Sequence, residues 1–418
     1  MRKKGKEEPG GNSVRPGKGG ESPAEKLEQT LRGRLMDELE HSGEKTDQEI
    51  LEMIDEMILE QSRQELLTLE SREKLRISVF NSVRRLDVLQ ELVDDPGITE
   101  IMINSWDCLF IERGGKIRRC PKSFFSRERL EDVIRQISGR CNRIVNAQRP
   151  IADARLEDGS RVNIVLPPVS LNGPMMTIRK FPKEPFTMDT LVKQDSLTEE
   201  AADFLRKLVE SGYSILVGGG TSTGKTTFLN ALSAMIPPDE RIITIEDNAE
   251  LQLLGVENLV RLEVRDANLA GDYAVTMRDL IKTALRMRPN RIIIGEVRGA
   301  EAYDWLTCLN TGHDGSLGSA HANSVRDMIL RLETMVLMGI DLPVPVIRRQ
   351  IASGIEILVQ LVRDSRGRRM LDEIAEIEGC QNGEIEVRTL YKRDENGELQ
   401  RREPLLHTEK LHRAGFSG

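Results

Sequence analysis

The sequence predicts an α/β fold in which a parallel sheet covered by helices follows a smaller α+β domain. After Leu197, short uninterrupted apolar runs at 214–217, 242–245 and 292–294 alternate with helical patterns. Strands of this kind are buried on both faces, which is typical of parallel sheets. Earlier in the chain, between residues 98 and 179, strands, a hairpin and one helix indicate a mixed α+β domain.

Composition limits the classes of protein that the chain can belong to. Its 418 residues suffice for two or three domains, and 39% hydrophobic with 31% charged residues suits a globular cytosolic protein. No run of about 18 apolar residues predicts a membrane span, and the polar N-terminus lacks the apolar stretch of a signal peptide. The net charge of −8 argues against a dedicated nucleic-acid binder. Five cysteines without a C-x-x-C pair favour reduced thiols over a zinc site or a disulfide framework.

Changes in composition predict five regions. Residues 1–23 hold almost no aliphatic side chain and cannot offset the entropy of ordering. Their early basic residues could touch acidic lipid headgroups, and a solvated tail is the alternative. Helical periodicity begins near Asp47 and is broken at 94–97, and the segment 181–185 reads as a stiff linker. The predicted regions are a disordered tail (1–45), a helical region (46–94), an α+β domain (95–185), the sheet domain (186–400) and a C-terminal tail (401–418).

Local patterns also predict individual elements. In the α+β domain, strands at 98–104 and 109–112 precede a turn at Gly114-Gly115, which suggests a hairpin. The other predicted elements are a helix at 127–140 and strands at 161–166 and 175–179. Near the C-terminus, segments 355–362, 369–378 and 384–391 look like antiparallel strands.

A phosphate-binding loop is predicted between a buried strand and a helix. Residues 219–226 fit the pattern G-x-x-x-x-G-K-[ST], and the strand before and the amphipathic segment after it supply the context that this pattern requires. Glycines let backbone N–H groups curl around phosphate oxygens, while the lysine reaches the β- and γ-phosphates and the threonine ligates Mg²⁺. The sequence therefore predicts a site for ATP and Mg²⁺. Its nucleotide-binding residues are Gly219, Gly220, Thr221, Ser222, Thr223, Gly224, Lys225, Thr226 and Thr227.

Two further strands end in carboxylates. Strand 292–294 leads through Gly295 to Glu296, like a Walker B strand with glycine where aspartate often stands, and Glu296 would then contact Mg²⁺. Both strand ends lie where open α/β folds bind ligands, at the carboxyl edge of the sheet. Solvated loop acids are the alternative, and the phosphate loop favours a functional role. The other strand is the apolar run at 242–245, and the acids at its end are Glu246, Asp247 and Glu250.

Two of the five histidines, His313 and His321, lie in the short motifs Thr311-Gly-His and Ala320-His. No cysteine or carboxylate has the local spacing of a metal site, so a polar relay that senses the γ-phosphate is favoured over metal ligation.

Together these motifs resemble those of the type II and type IV secretion ATPases, in which they are named Walker A, Asp box, Walker B and His box. Within that superfamily the chain most resembles the CpaF family, the Flp/Tad pilus-assembly ATPases, from about residue 70 to residue 365. It has no tetracysteine zinc module of the kind that type II and type IVa extension ATPases often carry. The segments that carry the CpaF resemblance are residues 95–104, 153–163, 173–181 and 285–291.

The resemblance implies a RecA-like domain and an N-terminal domain assembled as a homohexamer with nucleotide at subunit boundaries. It implies ATP hydrolysis in the cytoplasm, at the inner face of the membrane, on a platform of inner-membrane pilus-assembly proteins. By position, Glu250 matches the catalytic Asp-box glutamate, Glu296 the Walker B glutamate and His321 the main His-box histidine. Arg161 and Arg179 match arginines that approach the phosphates.

Arg161 and Arg179 could supply positive charge that neutralises the γ-phosphate, because the sequence around the phosphate loop has one lysine and no arginine. Ordinary surface ion pairs are the alternative for Arg161 and Arg179.

Other functions fit parts of the pattern. A type IV secretion or conjugation ATPase shares the motifs, but that family often lacks so long an N-terminal helical extension. A RecA-type nucleic-acid motor is disfavoured by the acidic balance and by only 4% aromatic residues for base stacking. A scaffold that binds nucleotide without hydrolysis is disfavoured by the intact acids.

Overall fold

The computed structural model describes residues 23–42, 45–63, 67–141, 143–156, 158–181, 186–265, 274–364 and 366–416. The chain divides into two compact units, Met1–Lys180 and Phe181–Gly418. The predicted helical region and α+β domain thus share one unit. Residues 182–185 of the predicted linker and residues 1–22 of the predicted tail lie outside the described residues.

The first unit begins with helices and continues with a sheet. Its elements are α1 (Pro23–Ser42), α2 (Asp47–Ser62), α3 (Leu69–Arg84), α4 (Val88–Asp94), β1 (Ile98–Ser105), β2 (Cys108–Arg113), β3 (Lys116–Arg119), α5 (Arg127–Arg140), β4 (Ile151–Arg155), β5 (Arg161–Val165) and β6 (Met175–Arg179).

Helices α1 to α3 bury a small apolar core of their own, and the first of them differs from expectation. Residues 23–42 were assigned to the disordered tail, but Leu27, Leu31 and Leu35 recur every four residues and are buried against α2 and α3. A stripe with this spacing lies on one face of a helix. The composition of residues 1–23 therefore does not extend to the segment that follows them.

The sheet of the first unit is antiparallel. In the described residues it has six strands in the order β3-β2-β1-β6-β5-β4. The predicted hairpin is confirmed, and the chain turns at Gly114 and Gly115 between β2 and β3, both with positive φ. Ile134 and Ile137 of α5 pack with the buried strand residues in one core. The predicted bounds of α5 and β6 match the observed ones.

The second unit alternates strands and helices and ends in antiparallel strands. Its elements are α6 (Met188–Lys193), α7 (Glu199–Glu210), β7 (Ile215–Gly219), α8 (Lys225–Ser233), β8 (Ile242–Glu246), β9 (Leu259–Glu263), α9 (Met277–Ala284) with a 3₁₀ turn (Leu285–Met287), β10 (Arg291–Val297), α10 (Glu301–Leu309), β11 (Leu317–His321), α11 (Val325–Gly339), α12 (Val344–Gly354), β12 (Ile357–Arg363), β13 (Arg369–Gln381), β14 (Glu384–Arg393), β15 (Leu399–Arg401) and α13 (Glu409–Arg413).

One sheet runs through the second unit. Over the described residues its nine strands have the order β15-β14-β13-β12-β7-β11-β10-β8-β9. Pairing is parallel from β12 to β9 and antiparallel from β12 to β15. Strand β12 was expected to be antiparallel like the two strands after it. It is antiparallel only toward β13, because it joins the parallel section beside β7.

Both faces of this sheet are covered, as the apolar runs predict. Ile215 and Val217 point into a core with helices α6 to α8, whereas Leu216 points into the opposite core with α9 to α12. Successive residues of a strand face opposite sides, so a strand buried on both sides must be apolar throughout. The phosphate loop follows the central strand β7 and is held by this double core.

The C-terminal segment also differs from expectation. Residues 401–418 were assigned to a tail, but Leu405 and Leu411 are buried in the core of the second unit. The buried carboxylate of Glu376 accepts hydrogen bonds from the backbone N–H groups of Leu406 and His407. The two leucines and the two hydrogen bonds hold this segment against the core of the second unit, although most of its residues are polar. Residues 417 and 418 lie outside the described residues.

In the described part of the chain, no helix combines the length and the apolar character that crossing a bilayer requires.

Candidate nucleotide site

The phosphate loop connects the end of β7 to the start of α8. Gly224 precedes the helix with φ +92°, a conformation that residues with a side chain rarely adopt. The ammonium group of Lys225 is buried and donates to the carbonyl oxygens of Gly219 and Gly220, at 3.2 and 3.3 Å. All nine predicted nucleotide-binding residues therefore lie in one strand–loop–helix unit, with Thr226 and Thr227 in the first turn of α8.

Two predicted catalytic residues lie beside this lysine. Strand β11 pairs with β7 so that His321 is opposite Gly219. Its Nδ1 lies 3.2 Å from Nζ of Lys225, and its Nε2 lies 2.8 Å from Oε1 of Glu296. Lys225 Nζ is also 3.6 Å from that oxygen. An ammonium group only donates, so Nδ1 accepts and the imidazole proton is on Nε2, facing Glu296.

The electrostatics favour a neutral imidazole. Burial lowers the pKa of His321, and the positive charge of Lys225 lowers it further, against the opposing charge of Glu296. A neutral His321 can accept from Lys225 and face Glu296 at the same time. The three side chains thus lie in mutual contact, and their action as a relay stays a prediction. Among the described residues, no group of three or more His, Cys, Asp or Glu side chains is arranged to hold a metal ion.

Arg298 joins the two acidic motifs. Its guanidinium contacts Oε2 of Glu296 through Nε at 2.8 Å and Nη2 at 2.5 Å, and it reaches Oδ2 of Asp247 with Nη1 at 3.0 Å. The pKa of Arg298 is raised: burial opposes this, but the hydrogen bond and charge of Glu296 and the charges of Asp247 and Glu250 outweigh it. The sequence motifs gave no role to Arg298.

Glu246 organises the segment that carries Glu250. Its Oε1 accepts the backbone N–H groups of Glu250 and Leu251, at 2.8 and 2.9 Å, while Oε2 is buried without a hydrogen bond. Burial raises the pKa of Glu246 to about 7, although the two N–H groups pull it down. The acid that holds the turn is thus distinct from the predicted catalytic acid. The sequence pattern did not separate their roles, since both lie within one short acidic run.

The glycine in the Walker B strand has a steric reason. A Cβ on Gly295 would lie 2.9 Å from Cγ of Glu246 on the neighbouring strand β8. Real Cβ atoms do not approach so closely, so an aspartate at this position would collide with the buried glutamate. Position 295 is small because Glu246 occupies the space beside it.

Arg161 and Arg179 belong to the first unit. They lie directly opposite each other on β5 and β6, with Arg155 of β4 next in the same row and Glu100 of β1 on the other side of Arg179. Residues paired across strands share a face of the sheet. The structure therefore brings the two predicted arginines together and adds Arg155, which no sequence motif indicated.

Comparisons with known proteins agree with the Walker A, Asp box, Walker B and His box motifs of the chain. A family model described as "Type II/IV secretion system protein" matches residues 83–395. A putative conjugal transfer protein of Mycobacterium tuberculosis is 34% identical over 315 residues, which cover 73% of this chain and 88% of that protein. The type IV secretion system protein PtlH of Bordetella pertussis is 34% identical over 302 residues, covering 66% of this chain and 89% of that one.

A solved structure has a similar fold over part of the chain. The pilus retraction motor PilT with bound ADP gives a TM-score of 0.51 at 19% identity, covering 69% of this chain and 81% of that one. At this level of identity the likeness concerns the fold alone. It confirms the predicted α/β class, a RecA-like fold with a smaller N-terminal domain.

Proposed function

Because the chain belongs to the type II/IV secretion system protein family, we propose that it is an ATP-hydrolysing motor. The observation that carries this proposal is the convergence of Lys225, His321 and Glu296 at the end of the phosphate loop. A lysine, a neutral histidine and a carboxylate within contact distance form a site that can bind a triphosphate and respond to its charge.

The residues of the loop fit ATP and Mg²⁺. The donor set for the metal is the hydroxyl of Thr226 with the carboxylate of Glu296, whose buried Oε1 lies 2.8 Å from Nε2 of His321 but outside hydrogen-bonding geometry in the described structure. Mg²⁺ prefers oxygen ligands and is held in such sites by one or two protein groups together with substrate phosphates. When bound, it neutralises charge on the phosphate oxygens.

The side chains of the protein then have separate roles. Lys225 stabilises negative charge on the β- and γ-phosphates. Glu250 orients the attacking water, and Glu246 fixes its backbone. His321 contacts both Lys225 and Glu296. Loss of the γ-phosphate beside Lys225 can therefore change the position of Glu296, the proposed Mg²⁺ ligand. Arg161 and Arg179 stabilise the negative charge that grows on the phosphate during transfer.

We further propose that the motor is a homohexamer in the cytoplasm, working on inner-membrane platform proteins of a Flp/Tad pilus. The support is the agreement of several motifs, in order and spacing, with the CpaF family. No specific nucleic acid is expected as a partner.

A second system has support of its own. The two curated relatives described above are named as conjugal transfer and type IV secretion proteins. A type IV secretion or conjugation ATPase therefore remains the alternative assignment of the same motor.

Enzyme assays test the motor itself. The purified full-length chain should release phosphate from ATP with a rate that rises steeply with protein concentration as the ring assembles. Single-stranded DNA should not change this rate, and strong stimulation by DNA would favour a RecA-type nucleic-acid motor. Absence of Mg²⁺-dependent ATP hydrolysis across all protein concentrations would refute the proposal.

Genetics separates the two systems. In the source organism, deletion of the gene followed by complementation with wild type or Lys225→Ala should restore pili only with wild type, as scored by electron microscopy. Loss of conjugative transfer or of effector secretion with intact pili would favour the alternative. Pilin and platform genes beside this gene would support the pilus assignment.

A further inference from the structure

The turn between β12 and β13 lies next to the phosphate loop. Strand β12 pairs in parallel with β7, and Leu361 is opposite Gly219, the first residue of the loop. The chain leaves β12 at Arg363 and returns at Arg369, and these two residues are paired. The sequence places no arginine near the phosphate loop, but the order of the strands brings this arginine-rich turn beside it.

Arg369 contacts the loop directly. Its Nε donates to the backbone carbonyl oxygen of Ser222 at 3.1 Å, across 147 positions of sequence. Its Cδ lies 3.2 Å from the position that a Cβ on Gly224 would take. Ser222 has φ +59°, which is unfavourable for a residue with a side chain. A charge-assisted hydrogen bond on its carbonyl stabilises this conformation.

The contact also orients a neighbouring donor. In a trans peptide unit the C=O and the N–H point in opposite directions. A bond that holds the Ser222 carbonyl toward Arg369 therefore holds the N–H of Thr223 away from it. N–H groups of this loop are what cradles phosphate in a G-x-x-x-x-G-K-[ST] site.

We propose that Arg369 is a positioning residue of the nucleotide site, which fixes the Ser222–Thr223 peptide so that its N–H is ready for phosphate. This inference rests on the proposed function of the loop. Arg369 acts through the backbone of the loop, and its loss weakens nucleotide binding more than it slows the chemical step.

The side chain of Arg369 can be replaced without breaking the hydrogen bonds that hold strand β13 in place. The backbone of β13 is held at this point by Ser196, whose Oγ donates to the carbonyl of Arg369 at 2.9 Å and whose carbonyl accepts the N–H of Leu371 at 2.9 Å. Neither bond involves the guanidinium. Arg369→Met keeps the aliphatic stem against Gly224 and removes only the donors.

The test is the dissociation constant of a fluorescent ADP analogue with the full-length chain. Arg369→Met should raise this constant about tenfold, the range expected for a hydrogen bond from a charged group. Arg369→Lys keeps the charge and should recover part of the affinity. At saturating ATP, kcat of Arg369→Met should stay within about threefold of wild type, because a saturating ATP concentration fills the site even when the affinity is lower.

Arg366→Ala on the same turn is the matched control, because it removes the same charge and its side chain makes no hydrogen bond to the loop among the described residues. Its ADP affinity should equal that of wild type. Equal weakening by Arg366→Ala would assign the effect to the net charge of the turn, and unchanged affinity of Arg369→Met would also overturn the inference. Melting temperatures without nucleotide confirm that each variant is folded. A wild-type chain that binds no ADP would instead refute the nucleotide site itself.

Discussion

Nε2 of His321 lies 2.8 Å from Oε1 of Glu296, while Nδ1 of the same ring lies 3.2 Å from Nζ of Lys225. The imidazole thus stands between the predicted phosphate lysine and the predicted metal ligand. His321→Ala should keep ATP binding but lower kcat at least about tenfold, because the link between these two groups is lost. Phosphate release and nucleotide titration measure the two quantities. His313→Ala, in the companion motif but bonded to the Cys308 carbonyl, is the control, and equal kcat in both variants would contradict the relay.

Lys225 is buried within the loop that it serves. Lys225→Ala should remove measurable ATP turnover and weaken nucleotide binding, because the cation facing the β- and γ-phosphates is gone. Lys207→Ala, which removes a lysine paired with Asp203 on the surface helix α7, should behave as wild type. Turnover of Lys225→Ala at the wild-type rate would show that the loop is not the nucleotide site.

Two carboxylates are assigned different roles, and magnesium separates them. Glu250→Gln and Glu296→Gln should both bind ATP and hydrolyse it slowly, since the amide keeps the shape and removes the charge. Only Glu296→Gln should need markedly more Mg²⁺ for half-maximal activity. Glu257→Gln, at an exposed position of the same unit, serves as the control. The same Mg²⁺ requirement in both site variants would undo the division of roles.

Arg161 and Arg179 form one cross-strand pair in the first unit. If they stabilise the transferred phosphate, Arg161→Ala and Arg179→Ala should each lower kcat at least about tenfold and leave ATP affinity nearly unchanged. Arg118→Ala on the exposed strand β3 is the matched control. Turnover should also fall steeply when the protein is diluted. Near-normal turnover in both variants, or full activity of a verified monomer, would refute this role.

The raised pKa of Glu246 predicts a pH-dependent stability. Its pKa is about 7 in the folded chain against 4.5 for an ordinary glutamate, so the folded state binds more protons between these values. Stability contributed by this group is then present below about pH 4.5 and is lost as pH rises to about 7, by on the order of 3 kcal/mol. Glu246→Gln should lack this decline, because the amide does not ionise.

The measurement follows unfolding of the second unit alone. In a Trp106→Phe background the buried Trp305 is the remaining tryptophan, and its fluorescence during urea unfolding reports that unit. The difference in unfolding free energy between Glu246→Gln and the parent should grow from pH 5 to pH 7.5. Parallel curves for the two proteins would show that Glu246 is ionised throughout.

Several features could be derived from sequence because they depend on neighbours along the chain. The bounds of α5 and β6, the hairpin in the first unit and the phosphate loop follow from periodicity, turn residues and a motif of eight positions. Apolar runs were enough to predict parallel strands buried on both faces, because such strands have no polar side. Carboxylates at strand ends were correctly expected at the carboxyl edge of the sheet.

Other features depend on which strands are neighbours, and only the tertiary structure decided them. Strand β12 lies beside β7, which brings Arg369 to Ser222, and β8 lies beside β10, which makes Glu246 the reason for Gly295. Docking of Leu405 and the helix around Leu31 likewise depend on apolar partners elsewhere in the chain. Sequence periodicity reports the face that a residue occupies, whereas the free energy of a long-range contact depends on the partner that meets that face.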